Sequence, residues 1–445
     1  MSSLHDVHSA FKREFASPHL WWTRAVVVGA AAAAGLTVVG FTWLAESALA
    51  LFLRLGTLSW WAALVWTPLC TAAIVWLTRR YAVGAAGSGI PQVMATLDPA
   101  VGSAQRPLYV SLRLSLAKIA LTASGMLAGL SLGREGPSVQ IAAGVMLAAR
   151  RWLPRRSAVN AHALLVAGGA AGIAAAFNTP LAGVMFAIEE LSRKPEQRSS
   201  GLIVAGIVLA GLIAVSIHGN ATHFGVIHPG PIGVALLWPG LLATLASGVA
   251  GGLFARLLLA SLSGHPADAV SRWRARRPVR FAAVCGGLVA GLGLLSHGAT
   301  FGSGNDITRA MLDGNGAVPA AFVLFKYVAT WLTVWSGVPA GIFAPSLAIG
   351  AALGHDVGLV THYPYAPALI ALGMVGFLAA ATQAPLTAFI IVMEMVDGHA
   401  MVLSLMACAV VASTVSRVLT PPLYGALAQL QLQRMAVLAP PAGAP

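Results

Sequence analysis

Apolar stretches follow one another from residue 25 to residue 419, and no polar block long enough to form a second domain separates them. Only 9% of the 445 residues are charged and 58% are hydrophobic, against the roughly 25% charged residues of a soluble domain. So few charges cannot cover the water-facing surface of a core this large, and lipid must be the main solvent. The chain therefore reads as an all-α, polytopic membrane protein with one membrane domain. The runs 25–44, 58–77, 107–132, 202–217, 234–262, 281–295 and 401–419 are the spanning candidates, since a helix needs roughly 20 residues to cross the hydrocarbon. Residues 1–24 read as an N-terminal cytoplasmic segment. No small-residue cleavage site follows the first apolar run, which reads as an uncleaved first helix.

The formal net charge is +13, but the basic residues sit in short clusters between apolar runs: Lys12 and Arg13, Arg79 and Arg80, Arg150 to Arg156, Arg193 to Arg198, Arg272 to Arg280. That is the pattern of cytoplasmic loops under the positive-inside rule. No basic groove interleaved with aromatics is present, so nucleic acid is not an expected partner. Cys70, Cys285 and Cys408 stand alone in apolar sequence, with neither disulfide nor metal-knuckle spacing, and read as small buried hydrophobes. His218, His223 and His228 are spaced by five in a loop, which is poor ligand grammar. No metal or organic cofactor is expected, and no nucleotide-binding or nucleophile-elbow motif appears. An enzyme is disfavoured accordingly.

Five apolar pieces, 87–97, 137–149, 180–191, 345–353 and 385–396, are too short to span and begin at or beside Pro or Gly. Non-helical backbone at membrane depth survives only where protein or a watery cavity satisfies it, so interrupted segments point to a transport site. An internal repeat supports this. Gly133-Arg134-Glu135-Gly136-Pro137-Ser138 followed by Ile141 matches Gly341-Ile342-Phe343-Ala344-Pro345-Ser346 followed by Ile349; Lys118 pairs with Lys326, and Thr122 with Thr330. Residues 174–181 match 379–386, and Glu189 matches Glu394, at nearly the same offset. The expectation is two inverted-topology halves, about 25–217 and 233–419, within a transport domain 25–424, followed by a short C-terminal tail at 425–445.

Three motifs share one grammar: Gly87-Ser88-Gly89-Ile90-Pro91, Gly133-Arg134-Glu135-Gly136-Pro137 and Gly341-Ile342-Phe343-Ala344-Pro345. Glycine permits an unusual turn, and proline tolerates the first turn of a helix. Each motif delivers a helix N-terminus inside the membrane, where unpaired N–H groups and the dipole favour an anion without a full positive charge. Glu135 competes as a plain N-terminal helix acid, but a carboxylate in an apolar membrane segment is a functional candidate by default. Glu190 pairs with Met395 and so breaks the repeat symmetry; on residues alone it also reads as a solvated helix end. Lys118 and Lys326 are buried cations that need partners or lie near the anion path.

The order and wording of these motifs resemble the three signatures of the CLC family of chloride channels and proton-coupled transporters. Phe177-Asn178-Thr179-Pro180-Leu181-Ala182-Gly183 leading to Glu189-Glu190, and Pro422-Leu423-Tyr424, are similar to further family features. The resemblance runs from about Gly84 to Tyr424 and is weakest between Ser200 and Phe281. It implies a secondary transporter that exchanges chloride for protons. Ser88 and Tyr424 would contact a dehydrated anion through their hydroxyls. Gly89, Ile90, Gly133, Arg134, Gly136, Ile342 and Phe343 would supply the surrounding backbone. Glu135 would be the gate that competes with the anion and accepts the proton, and Glu190 the internal proton-transfer acid that family channels usually lack. Serine at 88 goes with chloride preference rather than nitrate or fluoride. The resemblance further implies a homodimer with one path per chain, set among membrane lipid. Compactness and strong basicity suggest a bacterial inner membrane, and the short Pro/Ala-rich segment after Tyr424 leaves no room for the regulatory domains that many family members carry. The alternatives are a passive chloride channel of the same fold, an antiporter for another anion such as fluoride or nitrate, or a transporter of another solute on a different inverted-repeat fold.

Overall fold

The computed structural model describes residues 18–438 except 60, 155, 156, 158, 193–199, 220, 221, 231, 265–267, 315–317 and 320. The first 17 residues, the basic cluster 193–198, and Arg155 and Arg156 lie outside the described residues. Eighteen α-helices make up the described chain. The first half holds α1 (Pro18–Leu58), α2 (Ala62–Tyr81), α3 (Ile90–Leu97), α4 (Leu112–Leu127), α5 (Glu135–Ala148), α6 (Ala161–Phe177), α7 (Pro180–Phe186) and α8 (Ser200–His218). The second holds α9 (Val234–Ser263), α10 (Ala269–Arg276), α11 (Pro278–Leu295), α12 (Asn305–Leu312), α13 (Phe322–Ser336), α14 (Phe343–Thr361), α15 (Ala366–Thr382), α16 (Pro385–Met395) and α17 (Val402–Leu419), with α18 (Leu423–Leu438) after it.

Among the described residues, seven helices are long and apolar enough to cross a membrane. One of them, α14, corrects the reading of 345–353 as too short to span: the helix runs over 19 residues, Phe343–Thr361. Two others differ markedly in length from the expected runs. Helix α1 spans 41 residues, about 60 Å at 1.5 Å per residue, twice the hydrocarbon thickness of roughly 30 Å. Hydropathy finds only its apolar window; the helix continues because 45–55 is made of good helix formers without Pro or Gly. The run 107–132 is shortened instead. Ser111 caps α4 by accepting from the Leu114 N–H at 3.3 Å, and the helix stops before Gly129, whose φ is +73°. Helices α6, α13 and α15 are additions, too short for a spanning run. Nearly every residue of α6 and α15 is buried, as expected of a helix apolar on all sides.

The halves repeat one another in packing. Helix α1 lies on α8 as α9 lies on α17, and α5 on α6 as α14 on α15. Small residues allow these close contacts, as in membrane helix pairs generally. A Cβ placed on Gly373 of α15 would come within 2.1 Å of the Gly350 carbonyl oxygen of α14. The halves meet in an antiparallel bridge. Gly133 N–H donates to the Gly341 carbonyl at 2.8 Å, and Gly341 N–H to the Gly133 carbonyl at 3.0 Å. The two matched motifs of the sequence thus touch at a pseudo-two-fold centre.

Each half also caps the other. Glu189 accepts from the N–H groups of Leu386 and Thr387 at 3.0 and 2.7 Å, and Glu394 from those of Leu181 and Ala182 at 3.2 and 2.8 Å. Each carboxylate sits on the N-terminus of the opposite half's helix, which satisfies orphan N–H groups and the dipole together. The residues matched in the repeat thus tie the two halves together.

Candidate functional site

A third motif pair, missed in the sequence, completes the symmetry. Gly302-Ser303-Gly304 repeats Gly87-Ser88-Gly89. The backbone matches: φ is +75° and +110° at Gly87 and Gly89, and +66° and +91° at Gly302 and Gly304. The shared lysines explain how these loops survive at membrane depth. Lys118 Nζ donates to the carbonyls of Ala85 and Gly87 at 2.8 and 2.6 Å, and Lys326 Nζ to those of Thr300 and Gly302 at 3.0 and 2.8 Å. Both lysines are fully buried. Each gathers carbonyls that no helix can satisfy, so each supports a loop that presents a helix N-terminus.

From this frame the first loop reaches the bridge. Ala340 N–H donates to the Gly87 carbonyl at 3.2 Å, so all three motifs meet through backbone hydrogen bonds. Gln92 fixes the start of α3: its Oε1 accepts from the Gly89 N–H at 3.0 Å, and its Nε2 donates to the Ala86 carbonyl. Glycine at 89 and 136 lets α3 and α5 approach. A Cβ on Gly89 would lie 2.7 Å from the Gly136 carbonyl oxygen, and one on Gly136 would lie 2.3 Å from Ser88 Oγ.

Glu135 opens α5 and is 1% exposed. Its Oε2 accepts from the Ala344 N–H at 3.4 Å, so the carboxylate rests on the N-terminus of α14, in the opposite half. A Cβ on Gly133 would lie 2.3 Å from that same Oε2, so glycine there makes room for the folded-back side chain. Arg134 turns the other way, to Glu46 of α1, with Nη1 2.5 Å from Oε1 and side-chain exposures of 6% and 59%. Neither Ala344 nor Glu46 is among the expected site residues. Ala344 was visible as the next residue of its motif, whereas nothing local marks a partner 88 positions away.

Ser88 and Tyr424 end on one cavity of about 140 Å³, which Ile342 also lines. Both hydroxyls are buried, and among the described residues neither Ser88 Oγ nor Tyr424 Oη has a hydrogen-bond partner. Two orphaned donors facing a shared space are costly unless something accepts from them. The Phe343 ring stacks on Tyr424 with centroids 6.0 Å apart and planes at 16°, backed by Phe177 and Phe186 at 6.2 and 6.5 Å. Tyr424 lies in the first turn of α18. The segment expected as a tail is thus a helix to Leu438, packed on α3, whose Leu427, Leu430 and Gln431 form part of the cavity wall. Gly89, Ile90, Gly133, Arg134 and Gly136 are not among the residues lining this cavity; they shape the backbone around it.

Glu190 lies elsewhere. It sits in a π-turn, Ala187–Leu191, that extends α7, whereas the matched α16 stays regular through Met395. Such π-turns recur at functional sites. With Glu189, Gln383, Arg417 and Thr420, Glu190 lines a separate cavity of about 380 Å³. Tyr424 lies within electrostatic reach of both Glu135 and Glu190. The arrangement therefore gathers helix ends and hydroxyls, which suit an anion, around one cavity, and sets the Glu190 carboxylate beside another.

The family model described as voltage gated chloride channel matches residues 69–417. The chain is 31% identical over 386 residues to the H(+)/Cl(-) exchange transporter ClcA of Salmonella paratyphi A, covering 83% of this chain and 79% of that protein; the Citrobacter koseri ClcA gives the same figures. Among solved structures, a slow cyanobacterial Cl-/H+ antiporter matches with a TM-score of 0.81 at 24% identity, covering 93% of this chain and 99% of the other. A CLC-type fluoride/proton antiporter matches with a TM-score of 0.74 at 20% identity, covering 96% of this chain and 99% of the other. The two solved structures bear on the fold alone.

Proposed function

Because the chain belongs to the voltage-gated chloride channel family, we propose that it is a secondary transporter exchanging chloride for protons, gated by Glu135. The observation that carries this reading is the buried Glu135 carboxylate resting on the Ala344 N–H. An anion at a helix N-terminus occupies a place that a halide also fits. Chloride enters the cavity of Ser88 and Tyr424, where the two orphaned hydroxyls donate to it. It then competes with the Glu135 carboxylate for the N-termini of α5 and α14. Protonation removes the glutamate's charge, weakens its hold on the N–H, and frees the place for chloride. Proton and anion movements are coupled because one location serves both.

Glu190 collects protons from the second cavity, apart from the anion's route. Its presence favours exchange over passive conduction by likeness to the family's antiporters. Ser88, by the same likeness, favours chloride over nitrate and fluoride. Two chains form a dimer with independent paths, seated in a bacterial inner membrane; the family resemblance supports the dimer, and compactness and strong basicity the membrane. The relatives named H(+)/Cl(-) exchange transporter agree with the exchange reading.

Purified protein in liposomes provides the test. With a chloride gradient imposed and no proton gradient, pH and chloride electrodes read together record protons moving uphill against the chloride flux. A passive channel moves chloride and leaves pH unchanged, and its reversal potential ignores a pH gradient.

A further inference from the structure

The cavity of Ser88 and Tyr424 does not end at its own wall. It shares Ala86, Leu262, Arg274, Gly337 and Gln431 with a neighbouring cavity of about 740 Å³. That volume exceeds anything a halide needs and falls in the range of roughly 300–1,000 Å³ used by small organic ligands. Three arginines from different elements line it: Arg79 at the end of α2, Arg113 in the first turn of α4, and Arg274 in α10. Among the described residues that line it there is no Asp or Glu. The acid near the rim, Asp268, caps α10 through the Val270 and Ser271 N–H groups and the Ser271 hydroxyl. Arg274 is oriented by donating to the Ser261 carbonyl at 3.3 Å. The rim is apolar and open: Tyr81, Val83 and Leu108 line the cavity while 61%, 70% and 51% exposed.

We propose that this cavity binds a phosphate-bearing anion, held by Arg79, Arg113 and Arg274, and that its occupant slows exchange by standing across the route to Ser88 and Tyr424. Planar guanidinium forks match phosphate oxygens two at a time, a fit that a chloride ion cannot use. Three cations without a carboxylate in the wall favour an anionic occupant. The exposed apolar rim accepts the uncharged part of the molecule. The same chemistry is offered by an anionic lipid headgroup, which basic pockets between membrane helices bind on the cytoplasmic side, and by a soluble phosphate compound. The slowing effect rests on the transport reading above; the binding does not.

The test uses the purified full chain. Native mass spectrometry from mixed micelles is expected to show phosphatidylglycerol retained in preference to phosphatidylcholine. In vesicles of phosphatidylcholine alone, pyrophosphate is then added; in a second set, phosphatidylglycerol is included instead. Slowing by phosphatidylglycerol with retained lipid identifies the headgroup as the source, and slowing by pyrophosphate alone identifies a soluble one. In Arg79→Gln/Arg113→Gln/Arg274→Gln the retention, or whichever response the wild type shows, is expected to weaken about tenfold or more, as loss of hydrogen bonds to a charged group implies. The corresponding lysine variant keeps the charge without the fork; it is expected to respond less than wild type, and it carries the test if the glutamine variant does not fold. Equal response in wild type and both variants, or absence of both retention and slowing, overturns the proposal. So does an equal loss in Arg150→Gln, outside the cavity, which would mark a general surface-charge effect.

Discussion

Glu135→Gln is expected to abolish proton movement while chloride still passes, at a rate that no longer changes with pH. Glutamine keeps the shape of the side chain but carries no charge to compete with a halide and takes up no proton. The wild-type carboxylate holds its place through the Ala344 N–H of the opposite half, and a hydrogen bond to a charged group contributes about 1.5–3 kcal/mol. Losing that competitor raises chloride occupancy there by about one to two factors of ten. Parallel electrode traces in liposomes check it. Chloride efflux should persist with a flat pH profile, and the pH trace should stay at the leak. Coupled proton transport that survives in this variant contradicts the assignment of Glu135.

Glu190→Gln is expected to give a different phenotype from the same measurement. Proton flux falls to the leak, yet chloride efflux keeps its pH dependence, because Glu135 remains able to titrate. The contrast follows from location. Glu135 shares its site with the anion, whereas Glu190 lines a cavity with Glu189, Gln383 and Arg417, and Ser88 is not among its lining residues. Protons that still move with chloride at the wild-type ratio would place the internal relay on another residue.

The sequence disclosed the site through local grammar. Gly, Pro and an acid within five residues dictate how a helix begins, and this is legible without tertiary information. That is why three helix starts could be placed, whereas the roles expected of Ser88, Ile342 and Phe343 came from the family resemblance; the repeat matched Gly133 with Gly341, which a backbone bridge joins. The copy at Gly302-Ser303-Gly304 stayed hidden because Asn305 and Asp306 stand where Ile90 and Pro91 stand, so the proline that marks the motif is lost. The lysines at matched positions were the available signal, since each serves its own half's loop in the same way.

Contacts between distant elements were not legible. The hold of Glu46 on Arg134 joins α1 to α5, and the exchange of Glu189 and Glu394 joins the two halves. Residues 45–57 fell between the apolar runs 25–44 and 58–77, and hydropathy gave no reason to look for a charged partner there. The cavity arginines come from α2, α4 and α10; Arg79 and Arg274 read singly as ordinary basic loop residues, and Arg113 falls inside the apolar run 107–132. Helix α18 was taken for a tail because its sequence lacks a long apolar run, although one face of it closes the cavity.

The central claim is that a halide and the Glu135 side chain alternate at facing helix N-termini, and anomalous diffraction from crystals soaked in bromide addresses it most directly. The account predicts one bromide between Ser88 Oγ and Tyr424 Oη in the wild type. In Glu135→Gln a second bromide should appear beside the Ala344 N–H, where the carboxylate rested. Bromide absent from both positions, or maps of the two proteins that do not differ, would contradict it.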